Sequence, residues 1–487
     1  MTQRQLKTPD TPNKQAVLSE FQSIVGESHV LTGQKAMTPY LEEWRGVWHG
    51  AALAVVRPAS TQQVADVVAC AVANSIKIIP QGGNTGLVGG QIAFDEEREI
   101  IVSLTRMNNI LNLDAANNTI TVEAGCVLHN VQEAATQGGR LFPLSLSSEG
   151  TAQIGGLLST NAGGTAVLRY GSMRALVLGL EVVLADGHIW NGLTHLYKDN
   201  TGYDLKQLFL GAEGTLGIIT AAVLRLYPQP RAMVTAFAAL PSVSAALDFF
   251  TLGLEKSGGL VSAFELIPRI GLELTLRHHP ESRAPCSTHT PWYTLVELSS
   301  GMESAALRSV MVSLLENALE RGIIVDAAVA DSLAQSEAFW RLRENMSEAQ
   351  KREGASLKHD ISVPLSYVPD FIDTTTKAVV DYLTGVRPVP FGHMGDGNIH
   401  FNLSQPENMQ AADFLAMAPA FQTLVHDRVH AMGGSISAEH GIGLMKRDEN
   451  IARKSDVELD LMVRLKRALD PDGILNPGKI VPSQEET

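Results

Sequence analysis

The sequence predicts an α+β protein of more than one domain, and three observations carry that reading. At 487 residues the chain is too long for one hydrophobic core, so two or three domains are expected. Strand-like runs alternate with amphipathic stretches and several strands join by tight turns, a pattern that builds antiparallel sheets covered by helices. Glycine-rich runs crowd the chain before Pro228-Gln229-Pro230, and no organised glycine run follows, which marks a domain boundary there.

Composition narrows the function classes. A hydrophobic content of 45% with 18% charged residues describes a globular, loop-rich protein. The formal net charge of −14 leaves no basic stripe for nucleic acid, although a few local cations suffice for a small anionic substrate. Cys70, Cys126 and Cys286 are scattered, so neither a disulfide framework nor a thiolate metal site is expected. No apolar run reaches the ~20 residues of a membrane span. Met1–Ser19 is polar rather than signal-like, and a cytoplasmic location is the expectation.

The elements follow in order. Residues 1–50 read as a helical arm, with Val17, Leu18, Phe21 and Ile24 at helical spacing and Trp44 and Trp48 as anchors on the next domain. Ala54–Pro58 is a short strand ended by proline. Ser60 then caps a helix whose Val64, Val67, Val68 and Ala71 fall at i, i+3, i+4 and i+7. The strand Ile76–Ile79 runs into P-Q-G-G-N-T-G-L-V-G-G, Pro80–Gly90. Successive N–H groups without Cβ atoms can form a concave nest for a pyrophosphate, and a flexible loop is the plain alternative. Neither G-x-G-x-x-G nor G-x-x-x-x-G-K-[ST] occurs, so Rossmann and P-loop readings are unsupported.

Ile100–Leu104, Thr119–Glu123 and Leu176–Leu184 read as strands. Among them lies Leu144–Gly164, L-S-L-S-S-E-G-T-A-Q-I-G-G-L-L-S-T-N-A-G-G, whose small residues let the backbone pass close to a large flat ligand. Lys198–Thr220 then leads into the strand Ala221–Tyr227. Beyond Pro230, Met233–Leu240, Val261–Ile267, Trp292–Leu298 and Pro388–Leu403 read as strands, the last a hairpin. Ser242–Lys256, Glu303–Arg321 and Ala411–Met432 read as helices, and together these suggest an antiparallel sheet covered on one side.

The hairpin F-G-H-M-G-D-G-N-I-H-F-N, Phe391–Asn402, is the densest chemical signal. Asp396-Gly397 is a strong two-residue turn signature, and a turn there pairs Gly395 with Asn398, Met394 with Ile399 and His393 with His400. Asn402 follows on the same strand face. Two imidazoles on one patch can begin a first-row metal site, with Glu439, in S-A-E-H-G-I-G, as the third ligand. Two solvated histidines on a hairpin, and an ordinary helix-start Glu439-His440, are the plain alternatives. From spacing alone, Arg343 and Lys358 in Trp340–Asp360 read as surface charges on a helix and the strand after it.

The ordered set P-Q-G-G-N-T-G, I-G-G-L-L-S-T-N-A-G-G, T-G-Y-D-L and G-A-E-G-T-L-G-I-I-T resembles the FAD-binding domain of the vanillyl-alcohol oxidase / p-cresol methylhydroxylase flavoproteins. Together with G-H-M-G-D-G-N-I-H-F-N, A-E-H-G-I-G and L-D-P-D-G-I-L-N-P-G-K it resembles their D-2-hydroxyglutarate and D-lactate dehydrogenase branch, from about Glu42 onward. The resemblance implies a two-subdomain FAD-binding domain over 51–230 and an α+β substrate or cap domain over 231–435. It also implies a C-terminal segment, 436–487, that returns to the FAD domain. It implies FAD contacts at Pro80, Gln81, Gly82, Gly83, Asn84, Thr85, Gly86, Leu87, Gly155, Gly156, Asn161, Gly164, Gly214, Ile218 and Asn476. Covalent relatives carry a histidine in the first loop, so Asn84-Thr85 here implies dissociable FAD.

The resemblance further turns Arg343 and Lys358 into holders of a substrate carboxylate, a task suited to the planar guanidinium fork. Ser347 stands where related enzymes carry threonine. Asn402 would also hold the substrate carboxylate, and one of the two cations can serve the C1 carboxylate. A divalent ion, zinc first, on His393, His400 and Glu439 would polarise the hydroxyl of a D-2-hydroxy acid. His440 would bind substrate and act as general base, with hydride passing to flavin N5. D-2-hydroxyglutarate is the first expected substrate, D-malate or D-lactate the next. The expected electron acceptor is an electron-transferring flavoprotein or a quinone, and a homodimer is the base-rate expectation. A zinc hydrolase and a non-catalytic flavin- or metal-binding protein remain the alternatives.

Overall fold

The computed structural model describes residues 14–482, so the first thirteen residues of the predicted arm and the last five of the chain lie outside the described residues. Two halves, each with its own core, face one another across a cleft.

The first half holds two main sheets and a two-stranded ribbon that pairs Arg140–Leu141 with Tyr227–Pro228. One places Ala51–Val56, Phe94–Ser103 and Lys77–Gln81 side by side in parallel, with the two-residue strand Val30–Leu31 antiparallel at one edge. Ser60 caps the helix Thr61–Ala73 as predicted, its Oγ accepting the Gln63 N–H at 3.2 Å. The other sheet is a five-stranded antiparallel layer with Ile218–Arg225 at its centre between Thr119–Glu123 and Val177–Val183. Their shared core runs from Val17 and Phe21 of the first helix to Ile474 and Leu475 near the C-terminus.

That last contact matters for the cleft. The Ile78 N–H donates to Ile474 O at 2.8 Å and the Asn476 N–H to Ile78 O at 2.7 Å, so the tail runs as a short extra strand beside Lys77–Gln81. Lys466 secures it by donating to Thr215 O and Leu475 O.

The second half is one eight-stranded antiparallel sheet. Its spatial order is Asp326–Val329, Ala232–Leu240, Trp292–Ser300, Val261–Pro268, Arg387–His393, Asn398–Ser404, Ser356–Leu357, with Asp360–Ser362 also pairing to Asn398–Ser404. One face packs on Val243–Ser257, Ser304–Glu320, Val368–Tyr382 and Ala418–Ala431. The expectation of cover on a single side needs correction. Leu272, Phe339, Leu342 and Met346, from three further helices, cover part of the second face over Phe237, Leu295, Ile267 and Phe391.

Four local readings also change. The predicted helix Ala411–Met432 is two helices, Ala411–Ala416 and Ala418–Ala431, because Pro419 fits only near a helix start. Trp340–Asp360 holds the end of one helix, a second helix Met346–Arg352, and two short strands. Trp44 is 60% exposed and anchors nothing in the first core; its ring instead lies 4.5 Å from Lys351 Nζ of the other half. The hairpin is not closed by a two-residue turn. Met394–Asp396 form a turn of 3-10 helix capped by left-handed Gly397, so His400 pairs with Phe391 and His393 pairs instead with Glu265 of the neighbouring strand.

A candidate active site in the cleft between the halves

The cleft contains a cavity of about 920 Å³ whose floor is the glycine-rich backbone. Residues 80–88 line it, with Gly155, Gly156, Gly163, Gly164, Gly214 and Ile218, and Glu439 and His440 stand at its edge. The glycines are required by close approach. A Cβ on Gly83 would lie 2.0 Å from Thr151 O, and one on Gly163 would lie 2.5 Å from Glu439 Oε1. The first loop is held from outside: Asn84, in the left-handed region at φ 54°, donates its amide to Pro39 O and Glu42 O, and Gln81 donates to Tyr40 O and Gln91 O. The buried side-chain amide oxygens of Asn84 and Gln153, both on the cavity wall, have no partner, so the wall offers unused polar atoms to a ligand. This long, backbone-lined groove fits an extended dinucleotide.

Two expected cofactor residues, Asn161 and Asn476, stand behind the cavity's lining rather than in it. Asn161 faces away from the cavity, its Oδ1 accepting from Ser172 Oγ and the Arg174 N–H at 2.9 Å each. Asn476 donates to Gly90 O and Glu213 O, both of residues that line the cavity, and so fastens the tail strand to its wall, with its side-chain oxygen left unpartnered. Both are small amides at a positive φ, 50° and 41°, a conformation that asparagine tolerates.

At the other wall, one ligand atom each from His393, His400 and Glu439 lie within 4.8 Å of one another. His393 Nε2 is 3.9 Å from Glu439 Oε1, and the two imidazole centroids are 5.6 Å apart. Strand geometry explains the meeting. His393 stands opposite Glu265 in the sheet and His400 opposite Phe391, so both rings emerge on one face, beside the part that the three further helices cover. The Glu439 carboxylate packs directly on Gly163, where a Cβ would leave it no room, and this ties the cluster to the glycine floor.

Burial sets the charges. It opposes a proton on His393, but Glu265, with Oε1 2.6 Å from His393 Nδ1, overrides it and raises the imidazole to about 9. Burial also works against ionised Glu265, yet His393 and Arg343 hold it down at about 2. Glu439 is pushed up to about 7 by burial, offset in part by His393. Burial keeps His400 well below the ordinary imidazole value, against the pull of Asp360. Neutral His400, His393 oriented through its far nitrogen by Glu265, and Glu439 could together hold a divalent ion, which would have to displace the protons that His393 and Glu439 retain without it.

Four further residues, none given a role from the sequence, organise the site. Asp360 accepts the backbone N–H groups of Glu439 and His440 on Oδ2 at 2.9 and 3.0 Å, and the Asn398 amide on Oδ1 at 3.0 Å. Its carboxylate also lies 3.5 Å from His440 Nδ1 and 3.8 Å from His400 Nδ1, and these neighbours hold it far below the carboxylate range despite burial. Glu265 bridges His393 and Arg343, and Gln350 receives the Asn402 amide at 2.8 Å. Glu213 accepts from the loop beyond His440. A usable signal existed for Glu265: a lone carboxylate inside the apolar strand V-S-A-F-E-L-I-P must be paired where it is buried.

Arg343 is no surface charge. It is 9% exposed, donates to Glu265 Oε2 at 2.6 Å and lies 4.7 Å over the Phe391 ring. Asn402 is buried, and Ser347 is half-buried on the helix Met346–Arg352. Lys358 is more exposed; desolvation, then Lys351 and Arg45, lower it to about 8. His440 lies nearly parallel to His400, centroids 6.3 Å apart, and burial lowers it, opposed by Asp360.

Comparison with known proteins agrees with this geometry. The family described as FAD binding domain matches residues 52–192, and that of the FAD linked oxidases, C-terminal domain, matches 229–480. The mitochondrial D-2-hydroxyglutarate dehydrogenase of Arabidopsis thaliana is 36% identical over 466 residues, covering 96% of this chain and 81% of the relative. The D-2-hydroxyglutarate dehydrogenase of Xanthomonas citri pv. viticola is 37% identical over 441 residues, covering 91% and 92%. In fold alone, p-cresol methylhydroxylase superposes with a TM-score of 0.73 at 16% identity over 97% of this chain and 98% of that one. The hydrolase and non-catalytic alternatives fall away. The chain belongs to the FAD-linked oxidases, in the family of the D-2-hydroxyglutarate dehydrogenases, and it shares the fold of p-cresol methylhydroxylase.

Proposed function

We propose that this enzyme oxidises a D-2-hydroxy acid bearing a second carboxylate, D-2-hydroxyglutarate first, to the 2-oxo acid. The observation that carries the reading is His440 beside the His393, His400 and Glu439 cluster, at the edge of a glycine-floored groove. FAD bound non-covalently in that groove would supply the hydride acceptor. His393, His400 and Glu439 would hold a divalent ion, zinc first, which supplies Lewis acidity toward the substrate hydroxyl.

The chain's own residues do the rest. With Nδ1 turned toward Asp360, His440 keeps Nε2 free to take the hydroxyl proton, and its depressed basicity keeps it neutral and ready. Asn402 orients the C1 carboxylate. Arg343, already half-committed to Glu265, and Lys358, with Ser347 nearby in sequence, take the distal carboxylate. The names of the relatives support D-2-hydroxyglutarate, and D-malate and D-lactate are the comparators.

The test is anaerobic bleaching of the purified flavoprotein by each acid. Rapid bleaching by D-2-hydroxyglutarate is expected; bleaching by none of the three overturns the reading. For reoxidation we assign an electron-transferring flavoprotein, with a quinone second; oxygen reoxidising the flavin faster than either would remove both. A cytoplasmic homodimer completes the proposal, checked by cell fractionation and light scattering.

A further inference from the structure

The loop Ser437–Gly443 carries Glu439 and His440 and has no regular structure. Its backbone is nevertheless held on two sides by carboxylates. Asp360, from the sheet of the second half, takes the N–H groups of residues 439 and 440. Glu213, from the G-A-E-G turn of the first half, takes the next ones: the Ile442 N–H donates to Oε1 at 2.7 Å and the Gly443 N–H to Oε2 at 2.8 Å. Glu213 itself stands at a positive φ of 50°, and its carbonyl oxygen accepts the Asn476 amide at 2.8 Å.

The carboxylate sits in a slot cleared by glycines. A Cβ on Gly441 would come within 2.6 Å of Oε1 and one on Gly90 within 3.1 Å of Oε2. Burial pushes the group up to about 7, and the two N–H donors and the nearby Lys446 and Lys479 resist that push. A buried acid that accepts two backbone donors from another segment is costly to keep unless the segment must stay where it is.

We infer that Glu213 is a positioning residue that registers the Glu439–His440 loop onto the flavin half, so that the base and the reacting carbon meet the cofactor groove at the right height. Glu213 stands at the cavity wall, and both of its carboxylate oxygens are spent on the loop. This deepens the proposed function and rests on it for its catalytic consequence, but the clamp itself is a property of the fold. In Glu213→Gln one oxygen is replaced by an amide that cannot accept, so one of the two loop N–H groups loses its partner.

The test measures amide hydrogen exchange and flavin reduction on the same holoenzyme. Glu213→Gln should retain the parental FAD stoichiometry and a KM within about threefold, while anaerobic flavin reduction slows about tenfold to a hundredfold, the range for residues that orient others. Amides 439–443 should exchange at least about tenfold faster, the effect of losing about 1.4 kcal/mol of protection. Gly90→Ala, which crowds the same carboxylate, should loosen the same amides and serves if the first variant does not fold. Unchanged exchange at 439–443 in the folded variant overturns the clamp. So does a loss of activity matched by loss of FAD. Faster exchange with a parental protein that no 2-hydroxy acid reduces would instead sink the functional reading and leave the clamp standing.

Discussion

Glu265 lies opposite His393 in the central antiparallel sheet, and their side chains meet at 2.6 Å in the buried face. The same carboxylate holds Arg343 at 2.6 Å, so one acid orients a candidate metal ligand and a candidate substrate cation together. Replacing it by Gln leaves Arg343 without a charged partner inside the protein. Glu265→Gln should destabilise the fold by about 3 kcal/mol, the lower end for breaking a buried pair. Urea unfolding checks this, and a change below about 1 kcal/mol would show that water reaches the pair.

Metal removal separates the cluster from the groove. Chelation, or His393→Ala, should abolish turnover and leave the visible flavin band intact, and zinc should restore the chelated enzyme. Full turnover in thoroughly stripped protein would take the ion out of the reaction.

On the proposed function, Lys358 would decide chain length in the substrate. Lys358→Met should raise KM for D-2-hydroxyglutarate about tenfold to a hundredfold, the worth of one charge-assisted contact, and leave D-lactate nearly unchanged. Equal losses on both acids would assign Lys358 to the shared C1 carboxylate.

Acid stability follows from three carboxylates. Glu265, Glu353 and Glu449 are held at about 2, against the opposition of burial, by partners that include Arg343, Arg387 and His426. A carboxylate with a lowered folded value contributes stability that is complete above its unfolded value of 4.5 and is lost as pH falls through about 2. Unfolding free energy should therefore drop across that window, and Glu353→Gln should make the drop shallower. An identical slope in that variant would mean Glu353 is equally paired in the unfolded chain.

Local patterns were legible where a residue's own neighbours fix its conformation. Ser60 could be read as a helix cap and Val64, Val67 and Val68 as its buried stripe, because both depend on spacing of three or four residues. The glycine runs announced a groove because only missing Cβ atoms permit backbone approaches such as that of Gly83 to Thr151. The hairpin register was not legible. Asp396-Gly397 suits a two-residue turn, but His393 leaves the hairpin to pair with Glu265, a strand more than a hundred residues away in sequence.

By itself, then, the amino-acid order determined the elements whose pattern is local, the glycine-floored groove, and the kinds of side chain available for chemistry. Tertiary structure alone decided that Glu265 would orient His393, and that Asp360 and Glu213 would grip one loop from two sides. It also decided that the tail would lie beside Ile78. The reason is physical. Propensity and periodicity act over a few residues, whereas a buried carboxylate takes its partner from whatever segment the closing of the two cores brings within about 3 Å.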